Sequence, residues 1–305
     1  MKLLRKIAPA LYVGLPLIGA LVLESDFSRT IAVLVTAILL WLSEAIPLAA
    51  TGLLIPVLIS CYAVLPSKEA FSPFGNEILF LFIGCFIIAR AMQKHHLDKR
   101  LAYFVFSSPL GEKSASFLTL IMALLCWFFS MWMSNTATCA MMVPICLGII
   151  SICDELWKDH EMSKNFSRRL LINCTFASSI GGLATPVGSP PNLLAMGLLQ
   201  SKGISLSFFD WMAYAMPISL CMLFFLLSIQ HWQFPLPNRE TPKVREHFGA
   251  ELKKLGPLSR GEMQVIGVFL LAVTLWILPG LLKQFFPSWS LVDYFSSQLG
   301  MSTVG

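Results

Sequence analysis

The chain has 305 residues, of which 56% are hydrophobic and only 13% charged. Soluble domains carry roughly 25% charged residues, so a water-facing surface of ordinary size is excluded. The net charge of +5 does not indicate a nucleic-acid partner, because the basic residues fall between apolar runs, where membrane orientation signals belong. Several of those runs approach or exceed the ~20 residues of a bilayer crossing. Strand-type alternation is absent, which argues against an outer-membrane barrel. The composition predicts an all-α polytopic membrane protein with about seven transmembrane helices.

The N-terminus, MKLLRKIAPALYVGLPLIGALVLE, has the basic start of a signal peptide but no clear small-residue cleavage site, so it reads as a retained first helix over 8–23. Further spans are predicted near 29–46, 47–65 and 77–93, making 1–93 a block of N-terminal scaffold helices. Residues 94–112 begin charged and turn aromatic (KHHLDKRLAYFVF over 94–106), the pattern of an amphipathic helix on the membrane surface. Residues 113–200 hold two irregular segments, the second inside a span over 170–200. A helix over 212–230 and a mixed-charge connector with Pro235, Pro237 and Pro242 make up 201–262, and a last span is predicted over 263–282. The eight cysteines, Cys126, Cys139, Cys146 and Cys174 among them, lie mostly in apolar stretches without a C-x-x-C pair. They read as small core hydrophobes rather than disulfides or metal ligands.

Phe117 to Ile152 is a run of 36 residues without a charge, with Ser134-Asn135-Thr136 at its middle. One straight helix of that length would measure ~54 Å, far beyond a ~30 Å hydrocarbon core, so the run must fold back. Charge distribution tests the direction. If the run returns to its own side, only Arg29, Lys68, Lys202 and Lys283 of the 22 Lys and Arg face outside. A single crossing would leave the two sides nearly balanced, against the positive-inside rule. The N-terminus is therefore expected in the cytoplasm. The only turn material is apolar or neutral, so the expected form is a re-entrant hairpin entering from the cytoplasm with Ser-Asn-Thr at its buried tip.

Irregular backbone at membrane depth leaves amides and carbonyls unpaired, at several kcal/mol each in lipid, and persists only when buried in protein or lining a wet cavity. The hairpin tip and the break at Thr185-Pro186-Val187-Gly188-Ser189-Pro190-Pro191-Asn192 are two such places. Interrupted helices near the midplane are where transporters bind substrates and ions. Ser130 lies one helical turn before Ser134, so both face one way. With Asn135 and the Gly188 carbonyl they supply neutral hard oxygens suited to sodium. No Asp, Glu or His lies in either break, which disfavours a carboxylate proton relay. A second ligand would meet Asn135, Thr136, Ser189 and backbone amides following Pro190. With no Arg or Lys there, an anion would be held by dipoles and hydrogen bonds, with sodium nearby offsetting its charge.

Plainer readings stand beside these. Ser134-Asn135-Thr136 is also a good capping turn, and Pro190-Pro191 a simple kink. Glu44 reads as an interface residue, Arg90 as a snorkelling side chain, His95 and His96 as a solvated face, and Trp127 and Trp132 as packing or interface anchors. An intramembrane enzyme with Ser134 or Ser189 as nucleophile lacks a base. No His or Lys lies in the core segments and no G-x-S-x-G elbow occurs, so the chain does not read as an enzyme.

Three motifs in order, Trp41-Leu42-Ser43-Glu44-Ala45-Ile46-Pro47, Ser134-Asn135-Thr136-Ala137-Thr138 and Ile180-Gly181-Gly182 with Thr185-Pro186-x-Gly188-Ser189-Pro190-Pro191-Asn192, resemble the divalent-anion:sodium symporter (DASS) family of dicarboxylate, citrate and sulfate carriers. The resemblance implies an elevator-type carrier built of inverted repeats, usually a homodimer, in the cytoplasmic (inner) membrane. Sodium would be the coupling ion, and no other metal or cofactor is implied. Carried over, the sodium site is Ser130, Ser134, Asn135 and Gly188, and the substrate contacts are Asn135, Thr136, Ser189 and Pro190. Sodium-coupled transport of divalent anions, C4-dicarboxylates such as succinate foremost, is the expected function. The alternatives are sodium-independent anion exchange and a non-transporting remnant. Family members have a second half with its own S-N-T hairpin. Here 263–305 corresponds to the start of that repeat, so an incomplete half, inactive alone, is expected.

Overall fold

The computed structural model describes Gly14 and residues 25–157, 160–236 and 241–285, and all regular structure among them is helical. The helix expected over 8–23 and the residues after Phe285 lie outside these described residues. The chain divides into two units, residues 1–76 and 77–305.

The first unit holds α1 (Asp26–Ser43), α2 (Leu48–Cys61), α3 (Ser67–Phe71) and a 3-10 turn over Ser72–Gly75. Ser25 caps α1 by accepting the Ser28 amide at 3.2 Å. The helix stops at Glu44, whose φ of 48° is left-handed and unusual for a non-glycine residue. Pro47 then opens α2. The two helices pack through Val33, Leu58 and Tyr62. Leu34, Ile38 and Leu42 stay exposed on α1, as a lipid-facing side requires.

The second unit begins with α4 (Glu77–Lys94), α5 (Leu97–Phe106) and a 3-10 turn over Pro109–Glu112. The uncharged run then folds back as expected, into α6 (Ala115–Ser130) and α7 (Asn135–Leu156) joined by Met131–Ser134. The arms are antiparallel, with the Cys146 thiol 3.6 Å from the Met122 sulfur. They are also unequal, which the sequence did not reveal. α6 has 16 residues and α7 has 22, or about 24 and 33 Å at 1.5 Å per residue, so α7 has the length of a full crossing and α6 does not. α8 (His160–Ile172), a π-helical turn (Asn173–Ala177) and the short α9 (Ser178–Gly181) pack on this hairpin. Met122, Cys126 and Phe129 meet Met142, Cys146, Phe166, Leu170 and Cys174 in one core. All eight cysteines are free thiols.

Residues 182–189 are irregular, and α10 (Pro190–Ser201), α11 (Phe208–Gln233), α12 (Pro242–Lys254) and α13 (Arg260–Phe285) follow. A second core gathers Leu81, Cys85, Val187, Leu193, Phe208 and Trp276, so the break is packed between α4, α11 and α13. Among the described residues five stretches are long and apolar enough to cross a membrane: Asp26–Ser43, Ser67–Lys94, Asn135–Glu155, Phe208–Gln233 and Arg260–Phe285. The span expected over 47–65 is realised as a 14-residue helix, about 21 Å long. The chain is thus a multi-pass membrane protein with shorter apolar helices between its crossings.

Within the stretch 94–112, expected as one surface helix, α5 spans only Leu97–Phe106, and part of its apolar face is covered by protein. Phe248 of α12 lies 5.4 Å from Phe106 and 5.5 Å from Tyr103, ring centre to ring centre. The mixed-charge connector therefore contains a helix. Its end is held by Arg100, which donates to the Gly256 carbonyl at 2.8 Å and pairs with Glu262 at 2.5 Å. Glu262 also accepts the Ser259 amide at 2.7 Å, and the Ser259 hydroxyl accepts the Glu262 amide at 3.2 Å, a capping box at the start of α13.

Because this ion pair is shielded from solvent, Arg100→Met is expected to destabilise the protein by about 3 kcal/mol, leaving the carboxylate buried and unpaired. Arg245→Met, which breaks the exposed pair to Glu112 (3.1 Å), is expected to cost below about 1 kcal/mol. Chemical unfolding in detergent, monitored by circular dichroism, measures both.

Candidate functional site

The tip of the α6–α7 hairpin is partly buried, with Ser134 and Asn135 half-covered and Thr136 exposed. Met131 and Met133 are almost wholly covered. No carboxylate or basic side chain occurs within 130–136 or 182–192. Ser134 starts α7 in extended conformation, and its Oγ accepts the Ala137 amide at 3.3 Å while its carbonyl accepts Thr138 at 3.0 Å. The first amides of a helix have no intrahelical partner, which leaves those of Asn135 and Thr136 as uncommitted donors at the positive end of α7.

The break lies directly on this tip. A Cβ on Gly181 would stand 2.1 Å from the Trp127 carbonyl oxygen, one on Gly182 would stand 2.2 Å from Asn135 Oδ1, and one on Gly188 would stand 2.7 Å from the Ser130 carbonyl oxygen. Glycine at these positions is what allows the approach. The Thr185 hydroxyl donates to the Met131 carbonyl and accepts the Gly188 amide at 3.1 Å, tying the break to the tip and to itself. Asn192 closes the other side, its Nδ2 donating to the Gly182 carbonyl at 2.7 Å and the Thr185 carbonyl at 2.8 Å.

Carbonyls freed by the break can be followed one by one. Ser219 of α11 donates to Ile180 at 2.8 Å and in turn accepts the Trp127 indole at 2.6 Å. Trp211 donates to Leu183 at 3.1 Å. Gly182, Thr185 and Met131 are served as described above. The carbonyls of Ser130 and Gly188 accept no hydrogen bond from any described residue. Gly188 lies against the Ser130 carbonyl, and the Ser130 hydroxyl donates to Asn135 Oδ1 at 2.7 Å. A cation of low charge fits this donor set, which is all oxygen and neutral. The Ser130 proton can turn away to leave its lone pairs for the ion.

The residues expected to hold sodium are therefore not placed alike. Ser130, Asn135 and Gly188 come together, while Ser134 Oγ is partly committed to capping. On the substrate side Thr136 and Pro190 are exposed and Ser189 is half-buried. Ser189 begins α10 without a side-chain capping bond. The amides expected after Pro190 are fewer than anticipated. Pro191 carries none, and the Asn192 amide is taken by the Ser189 carbonyl at 3.1 Å. Pro190 can offer contact surface and a preset φ.

Other side chains singled out from the sequence take no part in this donor set. Glu44 and Arg90 are exposed, with Arg90 3.5 Å from the Gln93 side chain. His96 is exposed, and the His95 ring packs on Gly261. Trp132 packs on Phe208 and Phe269, with ring centres 6.4 and 5.3 Å away. Thr185 and Asn192 were within the quoted motif, but their holding role was not readable. Ser219 and Trp211 carried no motif at all.

A family model described as the sodium:sulfate symporter transmembrane region matches residues 4–297. The sodium-dependent dicarboxylate transporter SdcS of Staphylococcus saprophyticus is 37% identical over 243 residues, covering 78% of this chain and 46% of that protein. SdcS of Staphylococcus aureus is 33% identical over 242 residues, covering 78% of this chain and 46% of that protein. An uncharacterized transporter of Haemophilus influenzae is 32% identical over 271 residues, covering 88% and 54% respectively. The chain thus spans about half the length of these curated relatives.

Asn192→Leu keeps the side chain's size but removes both donors from the Gly182 and Thr185 carbonyls. It is expected to destabilise the protein by about 2–4 kcal/mol, whereas Ser189→Ala is expected to stay within about 0.5 kcal/mol of the native protein. Thermal unfolding of the two variants in one detergent checks the contrast.

Proposed function

The chain belongs to the divalent-anion:sodium symporter family, and from that premise we propose that it takes part in sodium-coupled transport of divalent anions, C4-dicarboxylates such as succinate foremost, rather than in catalysis. Ser130, Ser134, Asn135 and Gly188 hold the sodium ion. Asn135, Thr136, Ser189 and Pro190 contact the substrate. The carrier works as a homodimer in the inner membrane, N-terminus in the cytoplasm, moving its hairpin and broken helix together as an elevator. One observation carries the reading: Gly188 lies against the Ser130 carbonyl, neither residue's carbonyl accepts a hydrogen bond from a described residue, and the Ser130 hydroxyl donates to Asn135 Oδ1, all in a place without charged side chains. The relatives' names, which pair sodium with dicarboxylates, point the same way.

Coupling follows from electrostatics. The substrate side offers hydroxyls and the two amides at the start of α7, and no cation. A sodium ion about 5 Å from a carboxylate contributes ~3 kcal/mol at an effective dielectric of 20, or about a hundredfold in substrate affinity. Asn135 is shared by both ligands, so the two sites are linked through one side chain.

Asn135→Ala is expected to abolish sodium-dependent uptake of radiolabelled succinate in cells producing the protein. Normal sodium dependence in that variant refutes the assignment. Thr136→Val, which keeps shape and loses the hydroxyl, is expected to raise the half-saturating succinate concentration about tenfold while leaving that for sodium within about twofold, the loss of one hydrogen bond. Equal loss of both contradicts separate roles.

A further inference from the structure

A buried positive charge sits well away from the hairpin tip. Arg169, on α8, is 4% exposed. Its Nη1 makes a long 3.4 Å contact with the Phe234 carbonyl, and its Nε has no partner. No described carboxylate pairs with it. Burial pulls its pKa below the ordinary range, yet a guanidinium does not lose its proton in proteins, so the charge stays and calls for a counter-charge.

Gln230 of α11 is 2% exposed, and neither its Nε2 nor its Oε1 has a partner. It lies one helical turn before Phe234, whose amide donates to the Gln230 carbonyl at 2.9 Å, so the two residues share a face. The Arg168 guanidinium stands 5.8 Å above the Phe234 ring, which places the 168–169 pair of α8 alongside this end of α11. Arg169, which reaches Phe234, and Gln230, one turn before it, thus bring buried, uncommitted donors to the same end of α11.

We propose that Arg169 and Gln230 form a seat for a phosphate-type oxyanion where α8 meets the end of α11, apart from the transported substrate. Arg169 supplies charge and a directed N–H, and Gln230 supplies its amide N–H groups, leaving Oε1 for a ligand hydroxyl or a water. The seat is separate from the hairpin tip. Leu170 is level with Cys146, whose thiol is 3.9 Å from the Leu170 carbonyl, and Cys146 is ~16 Å along α7 from Asn135. Two sources offer this chemistry, a phospholipid headgroup and free phosphate. The adjoining Trp232, 82% exposed at the end of an apolar span, sits where aromatic side chains meet headgroups.

The test compares thermal unfolding of the purified full chain with phosphatidylglycerol, phosphatidylcholine or inorganic phosphate added, and counts lipids retained in native mass spectrometry. The native protein is expected to gain several degrees in Tm with phosphatidylglycerol or with phosphate. A response to lipid only assigns a headgroup, and a response to phosphate assigns the soluble anion. Arg169→Lys, which keeps charge and loses the fork, is expected to weaken retention about tenfold. Gln230→Glu, nearly isosteric, provides an internal partner for Arg169. It is expected to raise Tm without ligand and to abolish the response. The proposal is overturned if no probe shifts the native protein, if Gln230→Glu lowers Tm, or if that variant responds as the native one does.

Discussion

Backbone pressed on backbone, at the contact between residues 181–188 and the Trp127–Asn135 turn, is the constraint on which the rest of this molecule depends. Any Cβ at 181, 182 or 188 would run into a carbonyl or into Asn135. The approach has a physical motive. A chain that leaves helical geometry inside a bilayer cannot send its amides and carbonyls to water. Two irregular segments that face each other can satisfy much of each other's polarity, as the Thr185 hydroxyl does for Met131.

The satisfaction is incomplete in an organised way. Asn192 closes the Gly182 and Thr185 carbonyls, Ser219 closes Ile180 and Trp211 closes Leu183. Among the carbonyls left over are those of Ser130 and Gly188, two residues pressed against each other where tip meets break. Thr136 and Pro190 face open space. A small cation needs dehydration and several oxygens, so a covered pocket suits it. A larger dianion needs entry and exit, so an accessible rim suits it. One fold feature, the glycine-permitted contact, produces both environments within a few residues of Asn135.

How far this was legible beforehand depended on whether the signal was local. The fold-back of Phe117–Ile152 followed from a length that no bilayer accommodates, and the break from a Pro-Gly-Ser-Pro-Pro string that no helix tolerates. The shared position of Ser130, Asn135 and Gly188 followed from asking where unpaired backbone could go. The unequal hairpin arms were not legible, because Ser134 divides an apolar run that is uniform on both sides. α12 covering α5 was not legible, because Pro235, Pro237 and Pro242 with mixed charges read as a connector, whereas Pro242 opens a helix. Asn192 looked like a flanking polar residue. Its double donation depends on the loop's tertiary path, which has no period in sequence. Counting amides after Pro190 overlooked that Pro191 has none.

The most direct test of the central claim is saturable binding of radioactive sodium to the purified protein, compared with Gly188→Ala at equal helix content. Saturable binding that potassium does not displace in the native protein, lost when a methyl group is forced between the Ser130 and Gly182 carbonyls, is the result this account predicts. Undiminished sodium binding by Gly188→Ala would contradict it.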